Sequence, residues 1–133
     1  MKRALATIAA VLALSSPAFA AGNYKVTVTP PTGVTKGQKV VAKVHIEGTN
    51  GFSINTQYPM KLTITPPAGV KVEKATQTQA DAVVKPTGAD FTIAFTSSDA
   101  GRKGFVGELK FAVSTDKDMA PATEKLAFDV EVK

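Results

Sequence analysis

Few side chains in this sequence have the reactivity to do chemistry, and their spacing decides what they can do. His45 is the single histidine, and Met60 and Met119 are the only soft thioethers beyond the initiator. Together they would make a copper site, since imidazole and thioether suit that metal, but a site needs several ligands converging from fixed directions. His45 stands in "KVHIE" between Val44 and Ile46, on the face shared with Lys43 and Glu47, and so is expected to point to solvent. A surface histidine with two core or loop methionines is the simpler reading, so no metal is expected. In "STDKDM", Asp116 and Asp118 lie two apart. Calcium wants six to eight oxygens, whereas two aspartates in a turn need no ion.

Bond-making chemistry finds no support. There is no cysteine, and "GFSIN" around Ser53 lacks the second glycine of a nucleophile elbow. The carboxylates have no spacing that marks an acid and a base, and no glycine-rich phosphate loop occurs. The sequence therefore reads as a non-enzyme with no cofactor.

The ends and the charge narrow the setting. The chain opens "MKRALATIAAVLALSSPAFAAG": a basic start at Lys2 and Arg3, an apolar run from Ala4 to Leu14, then Pro17 and the small-x-small triplet Ala18-Phe19-Ala20. That is the three-part pattern of a secretory leader, with cleavage expected after Ala20, so residues 1–20 are a signal peptide and 21–133 a single domain. Eleven apolar residues are too few to span a bilayer, which needs about 20. With no long apolar run later on, no integral membrane segment is expected after cleavage. The product is expected to be periplasmic or secreted. An exported chain without cysteine must be stabilised by apolar burial and backbone pairing alone.

Loss of Lys2 and Arg3 with the leader lowers the formal charge from +5 to +3, and Arg102 is then the only arginine. Base-reading sites favour arginine, and no basic stripe interleaved with aromatics is present, so nucleic acid is not an expected partner.

The elements that must position these residues alternate with period two. Tyr24, Val26 and Val28 share a face, and the same spacing returns at Val40, Ala42, Val44 and Ile46, at Met60, Leu62 and Ile64, and at Phe91, Ile93 and Phe95. It returns again at Phe105, Leu109, Phe111 and Val113, and at Leu126, Phe128, Val130 and Val132. Shorter runs near 70–75 and 80–85 add one or two strands. Between them lie "PPTGVTKGQ", "EGTNG", "TPPAG", "KPTGAD", "SSDAGRKG" and "STDKDMAPATE", all rich in turn residues. The expectation is an all-β antiparallel sandwich of seven to eight strands, with a small closed barrel as the alternative. "KVTVTPPTGV" at 25–34 and "KLTITPPAGV" at 61–70 agree at seven of ten positions, and the likeness stops there. It reads as one way of ending a strand used twice.

Three stretches carry a family resemblance: "GFSINTQYPMKL" at 51–62, "FTSSDAGRKGFVGELKFAVSTDKDM" at 95–119 and "EKLAFDVEVK" at 124–133. They resemble small exported bacterial proteins with a G-F/Y-H-I-N segment, Y-P-x-K, a glycine-rich stretch, a C-x4-C pair and a final strand. More distantly, the arrangement is similar to the immunoglobulin-like amino-terminal domain of the transmembrane thiol:disulfide interchange protein. The resemblance implies an immunoglobulin-like fold. In that alignment Ser114 and Met119 stand at the cysteine positions and Ser53 at the histidine, so the redox couple of the family is missing. Asn55, Tyr58 and Pro59 keep the family pattern. These readings give an interaction or envelope accessory module with an envelope or periplasmic protein as partner, a copper carrier on His45, Met60 and Met119 as the alternative, and a non-redox accessory of a thiol:disulfide pathway as a third reading. The expected contacts are the end loops 50–59 and 97–104, with Phe52, Tyr58, Arg102 and Lys103 as anchors, because aromatic and basic residues dominate hot spots.

Overall fold

The computed structural model describes residues 18–133. Most of the expected leader, residues 1–17, therefore lies outside the described residues. Two antiparallel sheets face each other. One runs β1 (Ala18–Ala21), β2 (Tyr24–Thr29), β3 (Lys39–Gly48), β9 (Gly88–Ser97) and β6 (Val70–Val72), with β8 (Val83–Lys85) also on β9. The other runs β11 (Met119–Val132), β10 (Gly101–Ser114), β5 (Lys61–Thr65) and β7 (Thr76–Thr78), with β4 (Ser53–Ile54) also on β10. The two sheets are separate, so the fold is an immunoglobulin-like β-sandwich and not a closed barrel.

Alternation placed the core. Val26, Val28, Val44, Ile46, Leu62, Phe91, Ile93, Phe95, Phe105, Leu109 and Phe111 are all buried in one cluster between the sheets. Each fully buried side chain of this size contributes about 1.5–3 kcal/mol relative to exposure. Phe105 joins the layers, stacked on Phe128 at 4.8 Å within its own sheet and tilted against Phe95 of the other at 4.8 Å.

The described residues form eleven strands and not seven or eight, because the short strands β1, β4 and β7, of two to four residues, add to the expected ones. β4 and β5 lie end to end along β10, and β6 and β8 lie end to end along β9. Two connections are also shorter than the turn residues suggest. β10 already begins at Gly101 and β11 at Met119, so Gly101–Lys103 and Met119–Glu124 are strand and not loop. Fourteen consecutive cross-strand pairs hold this hairpin, enough to carry polar sequence in extended form. Pro121 fits because β11 is an edge strand, where one missing donor costs little. What remains of the second loop is a tight turn, closed by Thr115 N–H to the Asp118 carbonyl at 2.8 Å, with Thr115 Oγ1 accepting from the amides of Lys117 and Asp118.

The segment from β6 to β8 changes sheets twice. β7 joins the second sheet, and a single 3-10 turn at Gln79–Asp81 leads back to β8 in the first. Asp81 fixes that return by accepting from Thr78 N–H at 2.9 Å and Lys74 Nζ at 2.7 Å. Its carboxyl is held below the usual carboxylate range, first by the Lys74 hydrogen bond and then by the Thr78 amide.

Candidate functional site

At the end where β2 begins and β10 finishes, four connections meet: residues 22–23, 49–53, 86–87 and 115–118. Thr49 N–H bonds to the Asn23 carbonyl at 3.0 Å, and the side chains of Thr49 and Asn50 both bond the Gly22 carbonyl. The loop folds back so tightly that a Cβ at Gly48 would lie 2.1 Å from the Phe52 carbonyl oxygen, so only glycine fits there. This return holds Phe52 half-buried against the core. On one side of Ser53 runs an open groove of about 610 Å³ bounded by His45, Glu47, Phe52, Pro86 and Thr87. On its other side a polar groove of about 470 Å³ is bounded by Ser114, Thr115, Asp116 and Lys117.

The segment Asn55–Pro59 is a bulge in a ladder. Ile54 pairs with Val113, Asn55 N–H bonds the Ala112 carbonyl at 2.9 Å, and pairing resumes with Lys61 opposite Lys110. Residues 56–60 are looped out opposite Phe111 alone. Asn55 shapes that excursion, its Oδ1 accepting from the amides of Gln57 at 2.8 Å and Tyr58 at 3.2 Å, a side-chain turn of the kind asparagine favours. Buried Ile54 and Met60 pin the two ends. Between them Tyr58 is half-buried and Pro59 is exposed. The bulge is thus a corner of the fold that also presents an aromatic ring.

The candidate metal residues do not gather. Met60 belongs to the core, Met119 is 53% exposed at the start of β11, and His45 lies on the outer face of the other sheet between buried Val44 and Ile46. The three therefore lie apart, in the core, at the start of β11 and on the outer face of the first sheet. His45 is engaged by carboxylates, its Nδ1 2.7 Å from Asp90 and its Nε2 3.4 Å from Glu47. Glu47 was visible on the same strand face, but Asp90 lies on β9 and enters only through the register that sets it opposite His45. Among the described residues no group of three or more acidic or histidine side chains is arranged to hold a metal ion.

Arg102 and Lys103 occupy the opposite end. Ser114 pairs with Ser53, and Lys103 lies eleven residues back along β10, about 36 Å at the rise of an extended strand. The four proposed anchors therefore form two patches. Arg102 reaches Asp129 at 3.4 Å and Glu131 at 3.5 Å on the neighbouring strand. Lys103, with a side chain only 13% exposed, donates to the Ala68 carbonyl at 3.3 Å and sits 3.8 Å from Asp99. Its cation is committed to closing that end.

One juxtaposition follows from register. Ser53 lies opposite Ser114, and Ser114 opposite Met119. Residues directly opposite share a face with Cβ atoms about 4.5–5.5 Å apart, so these three form a row across β4, β10 and β11.

No family model and no curated protein matches the sequence. Among solved structures, the chain is similar to the GAE domain of GGA2p from Saccharomyces cerevisiae, with a TM-score of 0.52 at 8% identity over 86% of this chain and 97% of that one. The major subunit of aggregative adherence fimbriae type I from Escherichia coli gives 0.45 at 8% identity, over 90% and 98% of the two chains. A PapD-like domain of human CEP192 gives 0.42 at 11% identity, over 90% and 92%. At such identities the first likeness speaks for the sandwich fold alone.

Proposed function

We propose that this chain is an exported, non-catalytic β-sandwich acting through its surface as an envelope or periplasmic interaction module, with the Phe52–Tyr58 end as its contact region. The observation that carries this reading is the construction of that end. A glycine-dependent return and an asparagine-shaped bulge hold two half-exposed aromatic side chains on a rigid core, which keeps the entropic cost of ordering them on binding low. Elsewhere on the described surface His45 lies against Asp90 and Glu47, and Arg102 against Asp129 and Glu131.

The row Ser53–Ser114–Met119 favours one particular setting. The three positions where the resemblance puts a histidine and two cysteines are cross-strand neighbours, as a reactive cluster would require. This supports kinship with the thiol:disulfide interchange domain, and a protein that binds partners of such a pathway without exchanging electrons. The test is in-cell crosslinking from a probe in the 50–59 loop, comparing the native chain with a Phe52→Ala, Tyr58→Ala double variant. Capture of an envelope protein should fall at least tenfold in the double variant and be indifferent to reductant in the native chain. Undiminished capture by a folded double variant would remove this patch, and capture abolished by reductant would point to a covalent link that the sequence has no cysteine to make.

A further inference from the structure

The four residues Ala18–Ala21 form β1, the outermost strand of its sheet, antiparallel on β2 with Ala18 opposite Thr27 and Ala21 opposite Tyr24. The same four residues straddle the bond after Ala20 at which the leader is expected to be cut. Cleavage there would take away three of the four residues that cover the edge of β2. The buried cluster among the residues of described burial, from Tyr24 to Val132, would be retained whole.

The uncovered edge has a definite chemistry. Thr49 N–H donates to the Asn23 carbonyl, so the backbone groups of residue 23 face β3. In an antiparallel strand the direction alternates, which turns the N–H and C=O of Tyr24, Val26 and Val28 outward. The other described edges carry devices against stray pairing. β11 has Pro121 together with Lys125, Asp129 and Glu131, while β6, β7 and β8 are three residues long. β2 is "YKVTVT", with one charge and no proline. An edge of that kind, once open, is a template for another strand.

We propose that processing opens this edge and that a second copy of the chain occupies it, β2 antiparallel to β2, joining two sandwiches through one continuous sheet. The inference rests on the proposed export and cleavage after Ala20. Its register is self-selecting. Centred on Val26, the pairing sets Val26 opposite Val26 and Tyr24 opposite Val28, the residues whose backbone groups point outward, and exchanges about six hydrogen bonds. Both apolar faces stay inside, and on the outer face Lys25 of each copy meets Thr27 of the other. Centring on Lys25 would set the two lysines against each other. Centring on Thr27 would bring Pro30, which has no N–H, opposite Tyr24. A slip of a single residue would set interior side chains against exterior ones.

Intact mass of the exported product reads the cleavage site, and sedimentation of purified chains reads assembly. The product should begin at Ala21 and show a concentration-dependent dimer, whereas a chain made to begin at Ala18, which keeps its own β1, should stay monomeric. Thr27→Lys places like charges directly opposite at two symmetric positions and should weaken the dimer by about 2- to 30-fold, while Thr27→Glu should strengthen it by a similar factor. Both changes are on the outer face and leave the core alone. An exported product that retains Ala18 would overturn export processing as the trigger. A monomeric chain starting at Ala21, or a dimer indifferent to both Thr27 substitutions, would overturn the β2 pairing while leaving the proposed export and contact region standing.

Discussion

Tyr24 shows how much one side chain can join in this fold. It starts β2 in the first sheet, meets Phe111 of the second edge-on at 4.9 Å, and donates its hydroxyl to Glu124 of β11 at 2.5 Å. Burial, and after it the hydrogen bond and negative charge of Glu124, push the phenol up to about 12 from an ordinary value of 10.0. The folded chain therefore holds this proton more tightly than the unfolded one, and the contribution is complete below pH 10 and lost as pH rises from 10 toward 12. Two pKa units correspond to about 2.7 kcal/mol, and solvent screening at the rim, where Glu124 sits, reduces this to about 1–2 kcal/mol. Tyr24→Phe should be less stable than the native chain at neutral pH, with the gap narrowing by about that amount by pH 12. Lysine titration is common to both proteins, so the difference between their urea midpoints isolates Tyr24. A gap that stays constant from pH 9 to 12 would mean that the hydroxyl is not held as described.

Among the elements, β9 depends on a side chain where a strand is missing. Between β6 and β8 its outer side has no strand partner, and Gln77 of the opposite sheet fills part of that gap, donating Nε2 to the Thr92 carbonyl at 2.9 Å and the Lys74 carbonyl at 3.3 Å. Gln77 is 4% exposed. Gln77→Leu keeps much of the volume but leaves the Thr92 carbonyl without its donor, so the denaturation midpoint should fall by the equivalent of about 1–3 kcal/mol. A change below about 0.5 kcal/mol, the range of ordinary surface substitutions, would show that water replaces the amide freely. The same region marks the limit of reading the sequence. The long strands were legible because burial on one face forces apolar residues to alternate, as at Phe91, Ile93 and Phe95. "ATQTQADAVV" carries no such alternation, because its segments are too short to hold a face, and the polar Gln77 buried there gives no local sign that its partner is Thr92. Asp90 beside His45, and Ser53 beside Ser114 and Met119, were hidden for the same reason, since register is a property of pairs of strands and not of either one.

At the scale of the whole molecule, β10 acts as a ruler. Along it Phe52, beside Ser53, lies about 36 Å from Lys103, and Tyr58, looped out opposite Phe111, about 26 Å, so Phe52 with Tyr58 and Arg102 with Lys103 form two separate patches. Those distances were not legible either, because "SSDAGRKG" and "GFSINTQYP" are both loop-like stretches and only the strand between them sets their separation. The two ends also differ in what they have left to offer. Arg102 is already shared between Asp129 and Glu131, and Lys103 between Asp99 and the Ala68 carbonyl, so binding there would first have to break contacts within the molecule. Arg102→Ala should therefore leave partner capture by the Phe52–Tyr58 end within twofold of the native chain. Its cost in stability should stay below about 1 kcal/mol, the range of exposed ion pairs. Combined with Phe52→Ala and Tyr58→Ala it should add nothing to their loss of capture, because sites this far apart with no shared partner act independently. A further drop in capture by the triple variant would mean that the partner is long enough to touch both ends, and the contact region would then extend along the whole length of β10.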